Sequence, residues 1–254
     1  MLKKFELILT VVENKKLNNS YFQLILTHPN PLPEMLPGQF VEVKVENTPT
    51  VYLRRPISIN DVDYKANRLS LIIKNVGDGT NALSKLCAGD SLNLLLPLGN
   101  GFTLLENGSA ILVGGGVGIA PLLYLGGKLR EKGVKVTYLL GFKYNSDIID
   151  LSAFEAVGDV NITTEDGSIG VKGFVTNHPV INSKFDRMYV CGPTPMMKSV
   201  AKCAIESGTD CEVSLENMMA CGLGACLGCV TQTKEGHKCV CSDGPVFNIN
   251  ELIW

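Results

Sequence analysis

The sequence predicts a multi-domain α+β protein, in which an antiparallel β-barrel precedes a parallel α/β domain and a small C-terminal lobe. Short β-branched runs fill residues 1–102, strand and helix signals alternate through residues 103–212, and residues 213–254 carry a dense group of cysteines. Such alternation predicts a parallel sheet, because the crossovers between parallel strands are usually helices. We take these three ranges as the expected domains.

The composition argues against several functional classes. With 23 Lys and Arg against 25 Asp and Glu, the formal net charge is -2, and no long basic run marks a nucleic-acid-binding surface. The N-terminus alternates polar and apolar residues, which is typical of a strand and not of a targeting segment. No window reaches the roughly 18 uninterrupted apolar residues of a membrane span. We therefore expect a cytoplasmic protein that binds neither nucleic acid nor a membrane.

Four β-branched runs define the first domain: FELILTVVENKKL, YFQLILTH, GQFVEVKV and RLSLIIKNV. Clusters of turn-forming residues separate them, so they are predicted to be strands joined by loops. Short strands at this spacing predict a closed antiparallel barrel. The stretch GDGTNALSKLCAGD predicts one helix within this domain, with Thr80 as its N-cap and Gly89 as its stop signal.

Two turns in the second domain predict a nucleotide site. GGGVGIAPL follows an apolar strand and opens a helix, where backbone N–H groups can bind a phosphate. It departs from the G-x-G-x-x-G pattern, and alone it is equally compatible with a simple tight turn. CGPTPMM also follows a strand, at the sheet edge where ligands bind in open α/β sheets. The candidate nucleotide-binding residues are Gly114, Gly115, Gly116, Gly118, Cys191, Gly192 and Pro193.

A basic pair in the first domain, Arg54 and Arg55 within RRPISI, is a candidate anion clamp. The planar guanidinium group donates two hydrogen bonds at once, which suits a pyrophosphate. The alternative is an exposed basic strand end without a ligand. GDGT, at the start of the predicted helix, offers further backbone amides to an anion, and Lys74 precedes it closely in the sequence.

The tail contains three of the nine cysteines within nine positions, as Cys221-x4-Cys226-x2-Cys229, and Cys241 follows after eleven more residues. A cytosolic chain keeps its cysteines as thiols or metal ligands, and an odd number argues against a complete disulfide framework. The spacing is typical of a plant-type [2Fe–2S] site. Structural zinc is the alternative, but zinc sites usually pair two short C-x2–4-C motifs. The isolated cysteines are expected to be packing residues: Cys87, Cys203 and Cys211.

The motifs RPIS, GDGT, PLGNGF, GGGVGIAPL and CGP occur in this order along the chain, and together they resemble the ferredoxin reductase superfamily. The tail, CGLGACLGC followed by CSDGPVF, resembles the electron-transfer subunits of NAD-dependent (class 1B) dihydroorotate dehydrogenases. The resemblance spans essentially the whole chain, and the tail is its most specific part. It implies FAD on the barrel, NAD(H) on the α/β domain and a [2Fe–2S] cluster in the C-terminal lobe.

The resemblance also assigns roles to individual residues. It implies that Arg55 and the Gly79–Thr80 amides share the FAD pyrophosphate, and that Ser58 lies beside the isoalloxazine. Cys191 would lie near the nicotinamide, but not as a nucleophile, since hydride transfer needs none. The implied FAD-binding residues are Arg55, Pro56, Ile57, Ser58, Ile72, Ile73, Lys74, Gly79 and Thr80.

The fourth cluster ligand has two candidates, Cys239 and Cys241. The resemblance favours Cys241, one residue before DGPVF, and gives the ligand set Cys221, Cys226, Cys229 and Cys241. The period of two along a strand would turn Cys239 to the opposite side. A Rieske-like site using His237 would need a second, suitably spaced histidine.

The implied function is electron transfer between NAD(H), FAD and the cluster, with an FMN-containing dihydroorotate dehydrogenase catalytic subunit as partner and two copies of each chain. LLGFKYNSD lacks an Arg cluster for a 2′-phosphate, which favours NAD over NADP, although Lys143 could bind one. One alternative is the small subunit of an NADH-dependent ferredoxin or sulfide reductase, where Asp often replaces the first cysteine ligand. Another is a redox sensor, which would have no need of a nucleotide site.

Apolar residues surround the predicted ligand loop: Met218, Met219, Leu223 and Leu227. They either pack against the cluster or form an exposed patch, which a soluble monomer rarely carries without a partner. Leu223 and Leu227 lie between ligands, where side chains tend to point outward. We expect this loop to dock the catalytic subunit.

Overall fold

The computed structural model describes residues 3–46 and 48–253. The strands are β1 (Phe5–Lys16), β2 (Tyr21–Thr27), β3 (Phe40–Val43), β4 (Arg55–Ser58), β5 (Asp61–Asp63), β6 (Arg68–Lys74), β7 (Ser91–Leu98), β8 (Ser109–Gly115), β9 (Lys135–Phe142), β10 (Asp159–Thr164), β11 (Val171–Lys172), β12 (Arg187–Cys191), β13 (Asp210–Ser214), β14 (Val230–Thr233), β15 (Gly236–Cys239) and β16 (Val246–Asn248). The α-helices are α1 (Asp78–Leu83), α2 (Ala120–Glu131), α3 (Ser152–Glu155) and α4 (Thr194–Ser207). Within these ranges, no helix is both long enough and apolar enough to cross a membrane.

The first sheet is antiparallel and has the strand order β4-β3-β7-β1-β2-β6-β5. Its inward-facing side chains, such as Leu9, Leu24 and Leu94, are fully buried, as the alternating pattern of the sequence predicts. No hydrogen-bonded ladder joins the edge strands β4 and β5 in the described part of the chain. The sheet is therefore a half-barrel, and the expectation of full closure was wrong.

Helix α1 begins differently from the prediction. Gly77 is its N-cap, and Thr80 is the third helical residue, so the assignment of Thr80 as N-cap was wrong. The Thr80 hydroxyl accepts hydrogen bonds from the N–H groups of Val76 (2.9 Å) and Gly77 (3.1 Å). The side chain of the third helical residue thus holds the loop that precedes the helix, as in a capping box. The helix ends at Leu83, well before the predicted stop at Gly89.

The second sheet confirms the predicted α/β domain. Its order is β11-β10-β9-β8-β12-β13-β16, and all neighbours from β11 to β13 are parallel. Residues 110–113 of the central strand β8 are completely buried, because helices and loops cover both faces of the sheet. The edge strand β16 is antiparallel to β13 and comes from the C-terminal segment. The sequence pattern did not predict this added strand.

The C-terminal segment forms a hairpin, β14–β15, and a glycine-rich loop before it. Its Met219 and Val240 share one hydrophobic core with Phe40 and Leu98 of the half-barrel. The backbone of Asn100, in the motif PLGNGF, forms a bridge with Pro245. The segment therefore packs against both larger domains.

Candidate functional site

The glycine-rich loop and the CGP turn lie side by side at the carboxyl ends of β8 and β12. These strands are neighbours, and Cys191 is in register with Gly114. A Cβ on Gly118 would overlap the carbonyl group of Cys191, so only glycine allows this contact. The loop then turns through Gly116, at φ +55°, into a short 3₁₀ turn that leads to α2. The structure thus brings together the two turns that predicted a nucleotide site.

Cys191 is almost completely buried in this site. Burial raises the pKa of its thiol to about 12, with a further contribution from the charge of Glu216, although a hydrogen bond to Ser214 opposes this shift. The thiol therefore stays neutral at physiological pH. A neutral, buried thiol is a poor nucleophile, which agrees with a contact role and not a covalent one.

The half-barrel supplies a second wall to the glycine-rich loop. A narrow cleft between them is lined by Tyr21, Ile72, Gly116, Phe142 and Asp147 among others. Ile73 lies on the other side of β6, in the core of the half-barrel, so only its backbone can face a ligand. Lys74 is exposed at the end of β6, with its ammonium group 6.0 Å from the centre of the Tyr21 ring. Tyr21 and Asp147 were not predicted, because they carry no local motif.

The two arginines of RRPISI have different surroundings. Arg54 pairs with Glu6 at 2.9 Å and donates to the backbone carbonyls of Glu42 and Asn93, so it ties β1, β3 and β7 together. Arg55 forms no ion pair with any described residue. Its side chain lies directly against Gly79, because a Cβ added to Gly79 would be only 2.6 Å from the Arg55 Nε. The Arg55 guanidinium at the start of α1 is therefore the one available to a ligand anion.

The motif RPIS forms the edge strand β4, and its four side chains are half-buried. Pro56 pairs with Glu42 and Ser58 with Phe40 of β3. The predicted flavin residues of β4 and the first turn of α1, where Gly79 and Thr80 are buried, thus meet around Arg55.

The thiols of the predicted cluster cysteines are neighbours of one another. Cys226 lies beside Cys221, and Cys229 lies beside both Cys241 and Cys239. Within the described residues, no three His, Cys, Asp or Glu side chains converge on a point that could hold a single ion. Zinc requires four ligands around one ion, whereas a [2Fe–2S] cluster has two irons with two protein ligands each. The neighbouring thiols are compatible with a cluster of this kind.

Backbone N–H groups point at the sulfur atoms. Leu223 donates to Cys221 (3.4 Å) and Gly224 to Cys241 (3.1 Å). Burial raises the pKa of the Cys221 thiol, but the N–H groups of Leu223, Cys226 and Ala225 and the Cys226 thiol outweigh it, and the pKa falls to about 6. Thiolates are the form that binds metal, so Cys221 is prepared for it, whereas burial and the neighbouring Cys229 raise the pKa of the Cys241 thiol to about 12.

The comparison with known proteins agrees with this geometry. An FAD-binding domain model of oxidoreductases matches residues 6–102, and a model for the iron–sulfur cluster binding domain of dihydroorotate dehydrogenase B matches residues 216–253. The electron transfer subunit of dihydroorotate dehydrogenase B (NAD(+)) from Lysinibacillus sphaericus (strain C3-41) is 41% identical over 247 residues, which cover 93% of this chain and 94% of the relative. The Bacillus mycoides (strain KBAB4) subunit of the same name is 40% identical and covers all of both chains.

This chain belongs to the family of dihydroorotate dehydrogenase B electron transfer subunits. It is an oxidoreductase subunit with an FAD-binding and an iron–sulfur-binding domain. A chain of the NADH-dependent reduced ferredoxin-NADP oxidoreductase, studied for flavin-based electron bifurcation, has a TM-score of 0.88 and 32% identity, covering 97% of this chain and 90% of that one. The ferredoxin reductase of carbazole 1,9a-dioxygenase, at 20% identity and a TM-score of 0.71, shares the fold.

The orientation of Cys239, the last residue of β15, differs from our expectation. Cys239 does not turn away from the cluster loop, because its thiol also contacts Cys229. The chain reverses immediately after β15, where the Cys239 N–H donates to Asp243 and its carbonyl accepts from Asp243. The period-two argument was wrong in two respects: residues two apart on a strand lie on the same face, and β15 ends at Cys239. The N–H of Gly224 is nevertheless directed at Cys241 and not at Cys239.

Glu42 is a site residue that the sequence reasoning missed. Its side chain is completely buried, and neither carboxyl oxygen has a hydrogen-bond partner among the described residues. It lies against the cluster loop, where a Cβ on Gly222 would be 2.7 Å from its Cγ. Burial raises the pKa of Glu42 to about 7. A charged residue in the middle of the apolar run GQFVEVKV was the available signal.

The apolar residues of the cluster loop divide into two groups. Met219 is buried and belongs to the core beneath the loop. Met218, Leu223 and Leu227 are exposed by 92%, 46% and 65%. Met219 therefore packs inward, whereas the other three residues form the exposed apolar patch that was the second expectation.

Proposed function

We propose that this chain carries FAD, NAD(H) and a [2Fe–2S] cluster, and transfers electrons between NAD(H) and an FMN-containing dihydroorotate dehydrogenase catalytic subunit, with two copies of each chain. One observation carries the proposal: the three candidate sites adjoin. Strand β4 pairs with β3, and Glu42 of β3 touches the cluster loop at Gly222. The glycine-rich loop meets the half-barrel at Tyr21 and Ile72.

The residues of the half-barrel suit a dinucleotide flavin. Arg55, which forms no ion pair with any described residue, and the amides of Gly79 and Thr80 would neutralise the pyrophosphate, while Ser58 would bind the ring. Pro56, Ile57 and Ile72 would provide apolar contact, and Lys74 a further positive charge. When bound, FAD can accept two electrons as a hydride and release them singly to a one-electron cluster.

The residues of the α/β domain suit NAD(H). The glycines at positions 114–118, with Gly192 and Pro193, would let the nucleotide approach the backbone closely, and Cys191 would contact the nicotinamide. Two acidic residues, Glu165 and Asp166, lie beside Lys143. The Glu165 N–H donates to the carbonyl of Phe142, and the Asp166 N–H donates to the carbonyl of Lys143. Their negative charge opposes a 2′-phosphate, which supports NAD over NADP.

A second candidate function is a subunit of an NADH-dependent ferredoxin-type reductase. The structural similarity to the NADH-dependent reduced ferredoxin-NADP oxidoreductase favours it. The higher identity to the dihydroorotate dehydrogenase B subunits, and Cys221 as first ligand, favour our main proposal.

Analysis of the purified protein tests the cofactors. We expect one FAD, two irons and two acid-labile sulfides per chain, which is the content of one flavin site and one [2Fe–2S] cluster. Cys221→Ser, Cys226→Ser, Cys229→Ser and Cys241→Ser should each lose the cluster absorbance, because each removes one ligand.

Cys239→Ser is the matched control, since this thiol also neighbours Cys229, and it should keep the cluster. One zinc per chain without iron would contradict the cluster assignment. A stable cluster in Cys241→Ser, with its loss in Cys239→Ser, would reverse the choice of fourth ligand.

A further inference from the structure

Asn60 lies at the contact between the half-barrel and helix α2, and its side chain is completely buried. A chain of hydrogen bonds fixes its amide. Gln23 donates to the Ser70 hydroxyl (2.8 Å), which therefore donates its own proton to Asn60 Oδ1 (3.0 Å). The Asn60 Nδ2 is thus left to donate away from the barrel, to the carbonyl of Ala120 (2.8 Å).

The contact with α2 uses both the side chain and the backbone of Asn60. While Nδ2 donates to Ala120, the Asn60 carbonyl accepts from the N–H of Tyr124 (3.1 Å). The Ala120 carbonyl and the Tyr124 N–H are the two groups that an i to i+4 hydrogen bond would join in the first turn of a helix. One residue of the barrel therefore holds both ends of that turn. The Tyr124 hydroxyl adds a bond to the carbonyl of Met35 (2.9 Å).

The two ends of this contact lie next to the two proposed cofactor sites. Asn60 is two residues after Ser58 on the flavin side, and Ala120 is two residues after Gly118 on the nucleotide side. Because Asn60 is buried, water does not compete for these bonds. The Asn60 amide is thus one of the contacts that fix the position of the glycine-rich loop relative to β4.

We propose that Asn60 is a positioning residue for hydride transfer between NAD(H) and FAD. This inference rests on the proposed function. In the reaction, a hydride with its electron pair leaves NADH, which becomes NAD⁺, and the flavin is reduced. Transfer requires the reacting atoms about 3–3.5 Å apart, and a displacement of about 1 Å can cost roughly a hundredfold in rate. Asn60 touches neither reacting group but fixes the elements that hold them.

Asn60→Asp tests the proposal with almost no change in shape, because a carboxylate cannot donate to the Ala120 carbonyl. We expect flavin reduction at saturating NADH, followed by stopped-flow absorbance, to slow about 10- to 100-fold. The NADH Kd from the same titration should change less than about threefold, since the nucleotide contacts remain. The long-wavelength charge-transfer absorbance, which reports stacking of nicotinamide on flavin, should weaken. Ser70→Ala should act in the same direction, because it releases the amide.

Asn161→Ala is the control. Asn161 makes the same kind of bond, from Nδ2 to the carbonyl of Tyr138 (3.2 Å), but inside the α/β domain. Its loss should lower stability and leave the limiting rate and the charge-transfer band unchanged.

Three results separate the possible failures. A limiting rate and a charge-transfer band within twofold of the parent in Asn60→Asp would overturn the inference, as would a weakened Kd with an unchanged limiting rate. If Asn60→Asp does not fold, Ser70→Ala decides by the same criteria. If NADH fails to reduce the parent protein, the proposed function falls together with the inference.

Discussion

Two adjacent arginines have separate tasks, and Arg55 is the one we expect to bind the flavin. Arg55→Ala should weaken FAD retention about 10- to 100-fold, because a charge-assisted hydrogen bond contributes about 1.5–3 kcal/mol. The FAD content after gel filtration and the Kd for FAD of the stripped protein measure this.

Arg54→Ala is the matched control. It breaks the pair with Glu6 and should lower stability, but it should retain FAD. If Arg54→Ala loses FAD while Arg55→Ala holds it, the pyrophosphate role belongs to the first arginine.

Glu42 predicts a pH-dependent stability. Its folded-state pKa is raised from 4.5 to about 7, so ionisation opposes folding. The stability of the parent should therefore fall as the pH rises from about 4.5 to 7 and then level off, by at most roughly 3 kcal/mol. Glu42→Gln removes the charge and should raise the Tm by several degrees at pH 8, with a smaller gain at pH 5.5.

The exposed Glu13 of β1 provides the control, since Glu13→Gln should leave the Tm unchanged at both values. A gain in Glu42→Gln that is equal at pH 5.5 and pH 8 would show that the carboxyl does not ionise at a cost in the folded protein.

At the scale of elements, the cluster loop is expected to dock the catalytic subunit through its exposed leucines. Leu223→Glu should keep the cluster spectrum and the reduction of dyes by NADH, since the Leu223 side chain is 46% exposed. Binding to the partner should weaken by roughly 30-fold or more, as for loss of about 2 kcal/mol at an interface hot spot. Co-purification and electron exchange with the partner measure this.

Ile205→Glu is the control, because Ile205 is also exposed, by 65%, but lies on α4 of the α/β domain. Unchanged co-purification in Leu223→Glu would place the docking surface elsewhere, and loss of the cluster would show that Leu223 packs inward.

The elements that sequence predicted correctly are those with a strong local signal. The run RLSLIIKNV contains β6, and the glycine-rich turn lies between β8 and α2, because strand and turn preferences act over a few residues. The start of α1 was placed wrongly, since both Gly77 and Thr80 satisfy local capping rules and only the loop before the helix decides between them. The orientation of Cys239 was wrong because residues two apart, such as 239 and 241, share one face of a strand, and because a turn at Asp243 ends β15 after Cys239.

For the whole molecule, sequence motifs indicated three binding segments but not how they meet. The contacts that join them are single residues without a motif: Glu42 beneath the cluster loop, Asn60 against α2, and Tyr21 facing the glycine-rich loop. Such contacts depend on the packing of distant segments, which no local pattern encodes. The antiparallel strand β16, which extends the parallel sheet, is a further example.

The most direct test of the central claim is dihydroorotate-linked reduction of NAD⁺. The chain is co-expressed with an FMN-containing dihydroorotate dehydrogenase catalytic subunit, and NADH formation is measured for the complex and for each purified chain alone. We predict that the complex reduces NAD⁺ with dihydroorotate and that neither chain does so alone, because the proposed function places the nucleotide site on this chain and the pyrimidine site on its partner. NAD⁺ reduction by the catalytic subunit alone, or a stable complex that oxidises dihydroorotate with dyes but never with NAD⁺, would contradict the account.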